Sequence, residues 1–141
     1  MVECGIPKGK MDKGMSRIVI ADDDPVSRGL IRDVLEPQSY EVFEASNGEE
    51  ALAMIVETRP DLVLLDIQMP VLDGYEVLKK LRDDVRFHDL PVAIVTALAM
   101  ASDRERALSI GSNAYITKPI NVSALRAQVR TLLQGANAPG K

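Results

Sequence analysis

Four short polar stations hold the residues of this 141-residue chain best able to do chemistry: Asp22-Asp23-Asp24, Asp66, Thr96 and Thr117-Lys118-Pro119. Each closes or follows a short apolar run: Ile18–Ala21, Leu62–Leu65, Pro91–Val95 and Ala114–Thr117. Taken singly they are ordinary. A charge run at a strand end is usually a solvated turn, a Thr there is usually a cap, and a Lys beside a Pro is usually surface. If the runs are neighbouring parallel strands, however, their ends converge and Asp22, Asp23 and Asp66 crowd together. Like charges about 4 Å apart repel by about 4 kcal/mol per pair at an effective dielectric of about 20. Either a cation relieves that or some carboxylates take up protons. Oxygen-only ligands with few protein groups suit Mg²⁺, with Mn²⁺ as a substitute, because Mg²⁺ keeps several waters and often adds a substrate phosphate to its shell. Lys118 brings a second positive charge and Thr96 a hydroxyl donor. A nucleophilic carboxylate, a Mg²⁺ cradle and two donors for phosphoryl oxygens are what phosphoryl transfer asks of a protein.

The elements that must position these residues can be read from the pattern. Ile18-Val19-Ile20-Ala21 is a β-branched run, as expected of a strand buried on both faces. Asp24-Pro25 opens a helix, with Asp as N-cap and Pro at the first helical position. Leu30, Ile31, Val34 and Leu35 recur at helical spacing until Pro37 stops the pattern. Tyr40–Ala45 alternates as a second strand, and Asn47-Gly48 turns into a helix carrying Ala51, Leu52, Ile55 and Val56. After the strand ending on Asp66, residues 67–74 form a loop, and Val77, Leu78 and Leu81 mark the next helix. A polar helix from about Ser102 to Ile110 stops at Gly111, a good left-handed terminator. Val122, Leu125, Val129, Leu132 and Leu133 mark the last helix. Five strand–helix units predict an α/β fold, a doubly wound five-stranded parallel sheet with helices on both faces. Ligands of such sheets bind outside the carboxyl ends of the strands.

Composition narrows the class further. With 46% hydrophobic and 27% charged residues the chain is long enough for one globular domain with a real core. A net charge of −4 argues against nucleic acid as the primary ligand, which needs a basic face. Cys4 is the only cysteine, so no internal disulfide is possible and a cytoplasmic home is natural. No apolar run reaches the roughly 18 residues of a membrane helix. Residues 1–15 read as a disordered tail or a remnant of expression, 16–134 as the domain, and 135–141 as a tail or the start of a linker.

The motifs Val19-Ile20-Ala21-Asp22-Asp23-Asp24-Pro25, Leu64-Leu65-Asp66-Ile67-Gln68-Met69-Pro70 with Asp73-Gly74, Thr96-Ala97 and Tyr115-Ile116-Thr117-Lys118-Pro119 resemble, in this order and spacing, the receiver domain of two-component response regulators. The resemblance covers essentially residues 16–134. It implies a flavodoxin-like (βα)5 three-layer sandwich with strand order 2-1-3-4-5. It also implies that Asp66 is the phosphoacceptor, loaded by a sensor histidine kinase or a histidine phosphotransfer protein. Asp23, Asp66 and the backbone carbonyl of Gln68 are then expected to ligate Mg²⁺, with Asp22 acting through a bound water. Lys118 is expected to pair with Asp66 and then with a phosphoryl oxygen, Thr96 to bond another oxygen, and Tyr115 to swing inward as it does so. The Lys118–Pro119 bond is expected to be cis.

On this reading the chain is a switch and not a turnover enzyme. Phosphorylation adds charge and three acceptor oxygens to Asp66 and remodels the surface of the fourth helix, fifth strand and fifth helix. A swing from 1:99 to 99:1 needs about 5.5 kcal/mol of differential binding, within reach of a few charge-assisted hydrogen bonds of about 1.5–3 kcal/mol each. Gln68 and Leu98, each two residues past a site residue, are expected to flank the path of attacking water and so tune dephosphorylation. The output is a downstream protein or a covalently linked domain, the state a monomer or a phosphorylation-promoted dimer, with no direct nucleic-acid or membrane binding. His88 reads as surface, Met54, Met69 and Met100 as packing, and Lys79-Lys80, Arg104 and Arg106 as solvated faces. An Asp-nucleophile phosphatase is disfavoured because Gln68 stands where its second acid belongs, and a flavin binder because Asp22-Asp23-Asp24 repels phosphate. A receiver-like interaction module that acts without phosphorylation is the remaining alternative.

Overall fold

The β-branched run near the start of the chain becomes the middle of the sheet. In the computed structural model, which describes residues 15–135, Arg17–Ala21 forms β1, and Ile18 to Ala21 are all buried. Flanking it are β2 (Glu41–Ala45) and β3 (Leu62–Leu65), with β4 (Val92–Thr96) and β5 (Ala114–Thr117) beyond β3. All pairs are parallel, as the strand–helix rhythm predicts, and the order is β2-β1-β3-β4-β5, as the resemblance implies. β3 and β4 are buried at every residue, which is why they read as unbroken apolar runs.

Helices α1 (Pro25–Leu35), α2 (Gly48–Thr58), α3 (Gly74–Asp83), α4 (Ala101–Ile110) and α5 (Val122–Gly135) cover the two faces. Alternation along β1 separates two cores. Val19 and Ala21 join Ile55, Leu78 and Ala107 under α2, α3 and α4, while Ile18 and Ile20 join Ile31, Leu125 and Val129 under α1 and α5. The helix starts carry their own signals. Asp24 accepts from the Val26 amide with Pro25 in the first turn, Asn47 accepts from Glu50, and Asp73 forms a reciprocal capping box with Glu76. Pro37 does not end helical structure at once, because Glu36–Gln38 continue as a 3₁₀ turn that has no need of the missing amide. The last helix includes Gly135, which the sequence had suggested as the start of a tail.

Cys4 and the terminal segments 1–14 and 136–141 lie outside the described residues. Met69 is buried and Met54 packs on the first core, but Met100 is 66% exposed at the α4 N-cap and is not a packing residue. His88 is exposed beside Asp89. Among the described residues no helix is long and apolar enough to cross a membrane.

An ion-pair network fastens α1 to β2. Glu44 receives Arg28 Nε at 2.9 Å and also Arg32, which in turn holds Glu36 at 2.9 Å. Hydrogen bonds from Arg28 and Arg32 hold the Glu44 carboxyl below the usual carboxylate range. A lowered folded value means stabilisation that is present above the unfolded pKa and is lost as the pH falls through the folded one. With its side chain 24% exposed, Glu44→Gln is expected to cost only about 1 kcal/mol at neutral pH after screening. Urea unfolding should show the cost shrinking on acidification, and an undiminished cost in acid counts against the pairing.

Candidate functional site

Two neighbouring strands deliver the two carboxylates that matter most. Ala21 pairs with Leu65 in register, so the next residues, Asp22 and Asp66, leave β1 and β3 side by side. Backbone bonds carry the ladder one step past the strands, from the Asp66 amide to the Ala21 carbonyl (2.9 Å) and from the Asp22 amide to the Ala45 carbonyl (3.1 Å). Both carboxylates are then held in the same way. The Asp24 amide donates to Asp22 Oδ1 at 2.9 Å, and the Gln68 amide donates to Asp66 Oδ1 at 3.0 Å. This leaves the two Oδ2 atoms free, and Lys118 Nζ donates to both, at 2.8 Å to Asp22 and 2.9 Å to Asp66.

Both aspartates are buried, at 2% and 4% exposure, so the trio holds two carboxylates and one ammonium largely out of water. Burial pushes the Asp22 carboxyl up, and the Asp66 charge adds to this, against lowering by the bonds from Lys118 and Asp24. For Lys118, burial acts to lower the ammonium, but the bonds to Asp22 and Asp66 and their charges outweigh it and the net shift is upward. Lys118 is itself placed by the β4–β5 ladder: Thr96 pairs with Thr117, and the Lys118 amide donates to the Thr96 carbonyl at 2.8 Å. The Lys118–Pro119 peptide is cis.

Asp23 is exposed, and among the described residues no three His, Cys, Asp or Glu side chains form a group that could hold a metal. The sequence suggested three crowded carboxylates. The fold brings two together and puts the Lys118 ammonium between them as the relieving cation. The donor set still fits Mg²⁺. Asp23, Asp66 and the Gln68 carbonyl offer oxygens only, and the two buried carboxylates share one ammonium, so negative charge remains in excess.

Thr96 ends β4 fully buried, its hydroxyl accepting from the Leu98 amide at 3.4 Å. Tyr115 is also buried, and its hydroxyl donates to the Leu98 carbonyl at 2.8 Å. The Tyr115 ring is thus buried with Asp66 unmodified, and the inward swing implied by the resemblance belongs to the phosphorylated state. Leu98 is the shared node, and its half-buried side chain packs on the first core. Arg104 lies over the Tyr115 ring at 5.4 Å and Arg106 over the Tyr75 ring at 3.9 Å, so neither is a merely solvated charge. Sequence reading missed both. The signal available was two arginines on a helix that buries only Ala107.

The loop from Asp66 to Asp73 is tightly turned. The Leu72 amide reaches the Pro70 carbonyl at 2.8 Å around Val71, whose φ of 71° is strained for a β-branched residue. Strain of this kind persists where the surroundings over-determine the backbone, as they do here beside Asp66.

A family model for the response regulator receiver domain matches residues 18–130. The chain belongs to the response regulator receiver domain family. Curated relatives of this receiver domain include the polar-differentiation response regulator DivK of Brucella anthropi, 42% identical over 119 residues that span 84% of this chain and 97% of DivK. Another is the DNA-binding dual master transcriptional regulator RpaA of Synechocystis, 40% identical over 120 residues. The chain spans about half of RpaA, 50% of its length. Among solved structures, a CheY-like response regulator receiver domain from Methanospirillum hungatei matches with TM-score 0.83 and 31% identity over 90% of this chain and all of that one. The signal receiver domain of a histidine kinase from Syntrophus aciditrophicus matches with TM-score 0.79 and 33% identity, over 85% of this chain and 91% of that one. A signalling role in a two-component system follows from the family.

Proposed function

We propose that this receiver domain is switched by phosphorylation of Asp66, with Mg²⁺, by a histidine kinase or a histidine phosphotransfer protein. The observation that carries the reading is the held Asp66 carboxylate, with Oδ1 on the Gln68 amide, Oδ2 on Lys118 Nζ, and the Asp22 carboxylate sharing the same ammonium. An Asp66 oxygen attacks phosphorus, the P–N bond to the donor histidine breaks, and the electron pair leaves on the imidazole. Asp23, Asp66 and the Gln68 carbonyl would hold the Mg²⁺, with Asp22 reaching it through a water. Bound there, the ion neutralises charge on the phosphoryl oxygens. Lys118 is already on the Asp66 carboxylate and passes to one phosphoryl oxygen, while the Thr96 hydroxyl, which accepts from the Leu98 amide, donates to another. Those two movements reset Leu98 and Tyr115 and with them the surface of α4, β5 and α5. The protein then acts in the cytoplasm through a downstream partner or linked output domain, as a monomer or a phosphorylation-promoted dimer, without touching nucleic acid itself.

One observation favours a second reading. Tyr115 is already buried and bonded to Leu98 in the unmodified chain, so the same surface could serve a partner without phosphorylation. Acetyl phosphate with Mg²⁺, followed by intact mass, separates the two. The phosphorylation reading expects a gain of one phosphoryl group that needs Mg²⁺ and disappears in Asp66→Asn. No gain in the wild-type chain, with Mg²⁺ binding confirmed by titration, leaves the phosphorylation-independent module. Leu98→Glu, which puts a water-orienting carboxylate two residues past Thr96, is expected to shorten the phosphoform's half-life severalfold, on the order of tenfold. A decay as slow as wild type removes Leu98 from that role.

A further inference from the structure

Helix α4 is weakly seated. Ala107 is its only buried residue, its N-cap residue Met100 makes no side-chain cap, and Met100 and Leu108 are exposed. With only Ala107 buried and Ile110 partly packed on the core, its position leans on polar attachments to its two neighbours. On the β5 side these are the Tyr115 ring beneath Arg104, an Arg104 bond to the Tyr115 carbonyl at 3.4 Å, and the Tyr115 hydroxyl on Leu98. On the α3 side stands a second clip of the same construction. The Tyr75 hydroxyl donates to Asp103 Oδ1 at 3.1 Å and lies 3.3 Å from the Asp103 carbonyl, and Arg106 sits over the ring at 3.9 Å. Asp103 and Arg106, three apart, share one stripe of the helix with Ala107.

Tyr75 is also joined rigidly to the acceptor. It follows Gly74, whose amide donates to the Ile67 carbonyl at 2.9 Å. A Cβ on Gly74 would lie 2.4 Å from the Asp66 carbonyl and 2.7 Å from Ile67 Cα. Backbone on backbone at this range leaves no slack, so a shift of Asp66 and Ile67 carries Gly74 and Tyr75 with it. The phenol is only 6% exposed, so losing Asp103 would leave its hydroxyl buried without a partner, at a cost. Burial first, then the Asp103 bond, pushes it up to about 12, so it remains a donor at any physiological pH.

We infer that Tyr75 is a positioning residue that couples the Asp66 loop to α4 through Asp103 and Arg106, a second arm of the switch alongside Thr96 and Tyr115. The inference rests on Asp66 being phosphorylated. The arm is two-state, since the hydroxyl either keeps Asp103, and α4 follows the loop, or loses it and α4 is released on that side. A ring alone would satisfy the packing. The hydroxyl is aimed at a charged side chain of a weakly held helix, and that aim is what a packing role leaves unexplained.

The test reads α4 directly. Amide NMR shifts of Ala107 and Leu108 are followed before and after acetyl phosphate and Mg²⁺, with intact mass on the same samples. In Tyr75→Phe, uptake on Asp66 is expected to stay within about twofold of wild type, while the phosphoryl-induced displacement of the α4 amides falls to about half or less. Asp103→Ala, a change on the partly exposed side, is expected to reproduce the effect should Tyr75→Phe fold poorly. Asp103→Asn, which keeps an acceptor oxygen, is expected to restore most of it. A full displacement in phosphorylated Tyr75→Phe or Asp103→Ala overturns the inference and leaves the Asp66 reading standing. No phosphoryl uptake by the wild-type chain removes that reading, and the inference with it.

Discussion

Lys118→Met is expected to lower the unfolding free energy by about 3 kcal/mol and to slow phosphoryl uptake by on the order of a hundredfold. The stability term follows from what the ammonium does in the unmodified chain. Among the described residues it is the one cation bonded to two buried carboxylates, and its own side chain is 17% exposed. Methionine keeps most of the volume but leaves Asp22 and Asp66 facing each other with no charge between them. A buried pair broken at one partner costs more than the pair was worth, because the remaining charge is stranded. Here two charges are stranded. The rate term has a different origin, in the loss of a fixed positive donor at the position where phosphoryl charge would develop. Urea unfolding with and without Mg²⁺ separates the two. Added Mg²⁺ should recover much of the stability and little of the rate, because a cation can neutralise the carboxylates without replacing the donor. A variant as stable as wild type in the absence of Mg²⁺ would mean that water or protons already neutralise the pair.

Gly74→Ala is expected to be nearly as damaging for a purely steric reason. The added methyl would meet the Asp66 carbonyl oxygen at 2.4 Å, Ile67 Cα at 2.7 Å and the Asp66 carbonyl carbon at 3.0 Å. All three are backbone, so no side chain can rotate out of the way. Either α3 backs away from the sheet or the Asp66–Ile67 backbone moves, and a loss of about 3 kcal/mol is the expected scale for forced overpacking. Unlike an ordinary destabilising mutation it should also slow phosphoryl uptake, since the backbone that gives way carries the acceptor. Gly29→Ala is the control. A methyl added there, on α1, would have nothing within 4 Å of it, and alanine should stabilise by about 1 kcal/mol through helix propensity. Equal losses at Gly29 and Gly74 would mean that close approach to Asp66 is not the cause.

The clip at Tyr75 and the tight seat of Gly74 belong to one arrangement. Gly48 at the start of α2 also presses on the loop after Asp66, where an added Cβ would lie 2.2 Å from the Leu72 carbonyl. The loop after Asp66 is therefore gripped by two helix starts while Val71 holds a strained turn between them. A loop fixed so closely can pass a displacement on to α3, where a slack one would absorb it. This is the physical basis for expecting a signal on both sides of α4.

How much of this was legible in the chain depends on how local each feature is. The buried strands were legible because unbroken runs such as Leu62–Leu65 and Val92–Val95 have no alternative but the middle of a sheet. The helix starts at Asp24-Pro25 and Asn47-Gly48 were legible because a cap acts over three residues. The acidic and basic stations could be placed at one end of the sheet because parallel strands all point their carboxyl ends the same way. Those local rules settle the five units and the end of the sheet at which Asp66 lies.

Partnerships across long separations could not be read in this way. Lys118 finds Asp22 across 96 positions and Asp66 across 52, and nothing in its neighbourhood says that it will sit between them while Asp23 stays exposed. Arg82 donates to the Gly111 carbonyl and to Asn113 Oδ1, 29 and 31 residues away, tying the end of α3 to the turn before β5. Arg104 and Arg106 look solvated on a helical wheel, and only the placement of Tyr115 and Tyr75 on neighbouring elements turns them into clips. The sequence by itself determined the strand–helix rhythm, the chemistry of the strand ends and the residue types at the site, because these follow from short-range sterics and from burial. Only the tertiary structure decided which carboxylates share the ammonium and how α4 is held, because such contacts are set by the distances between elements after packing.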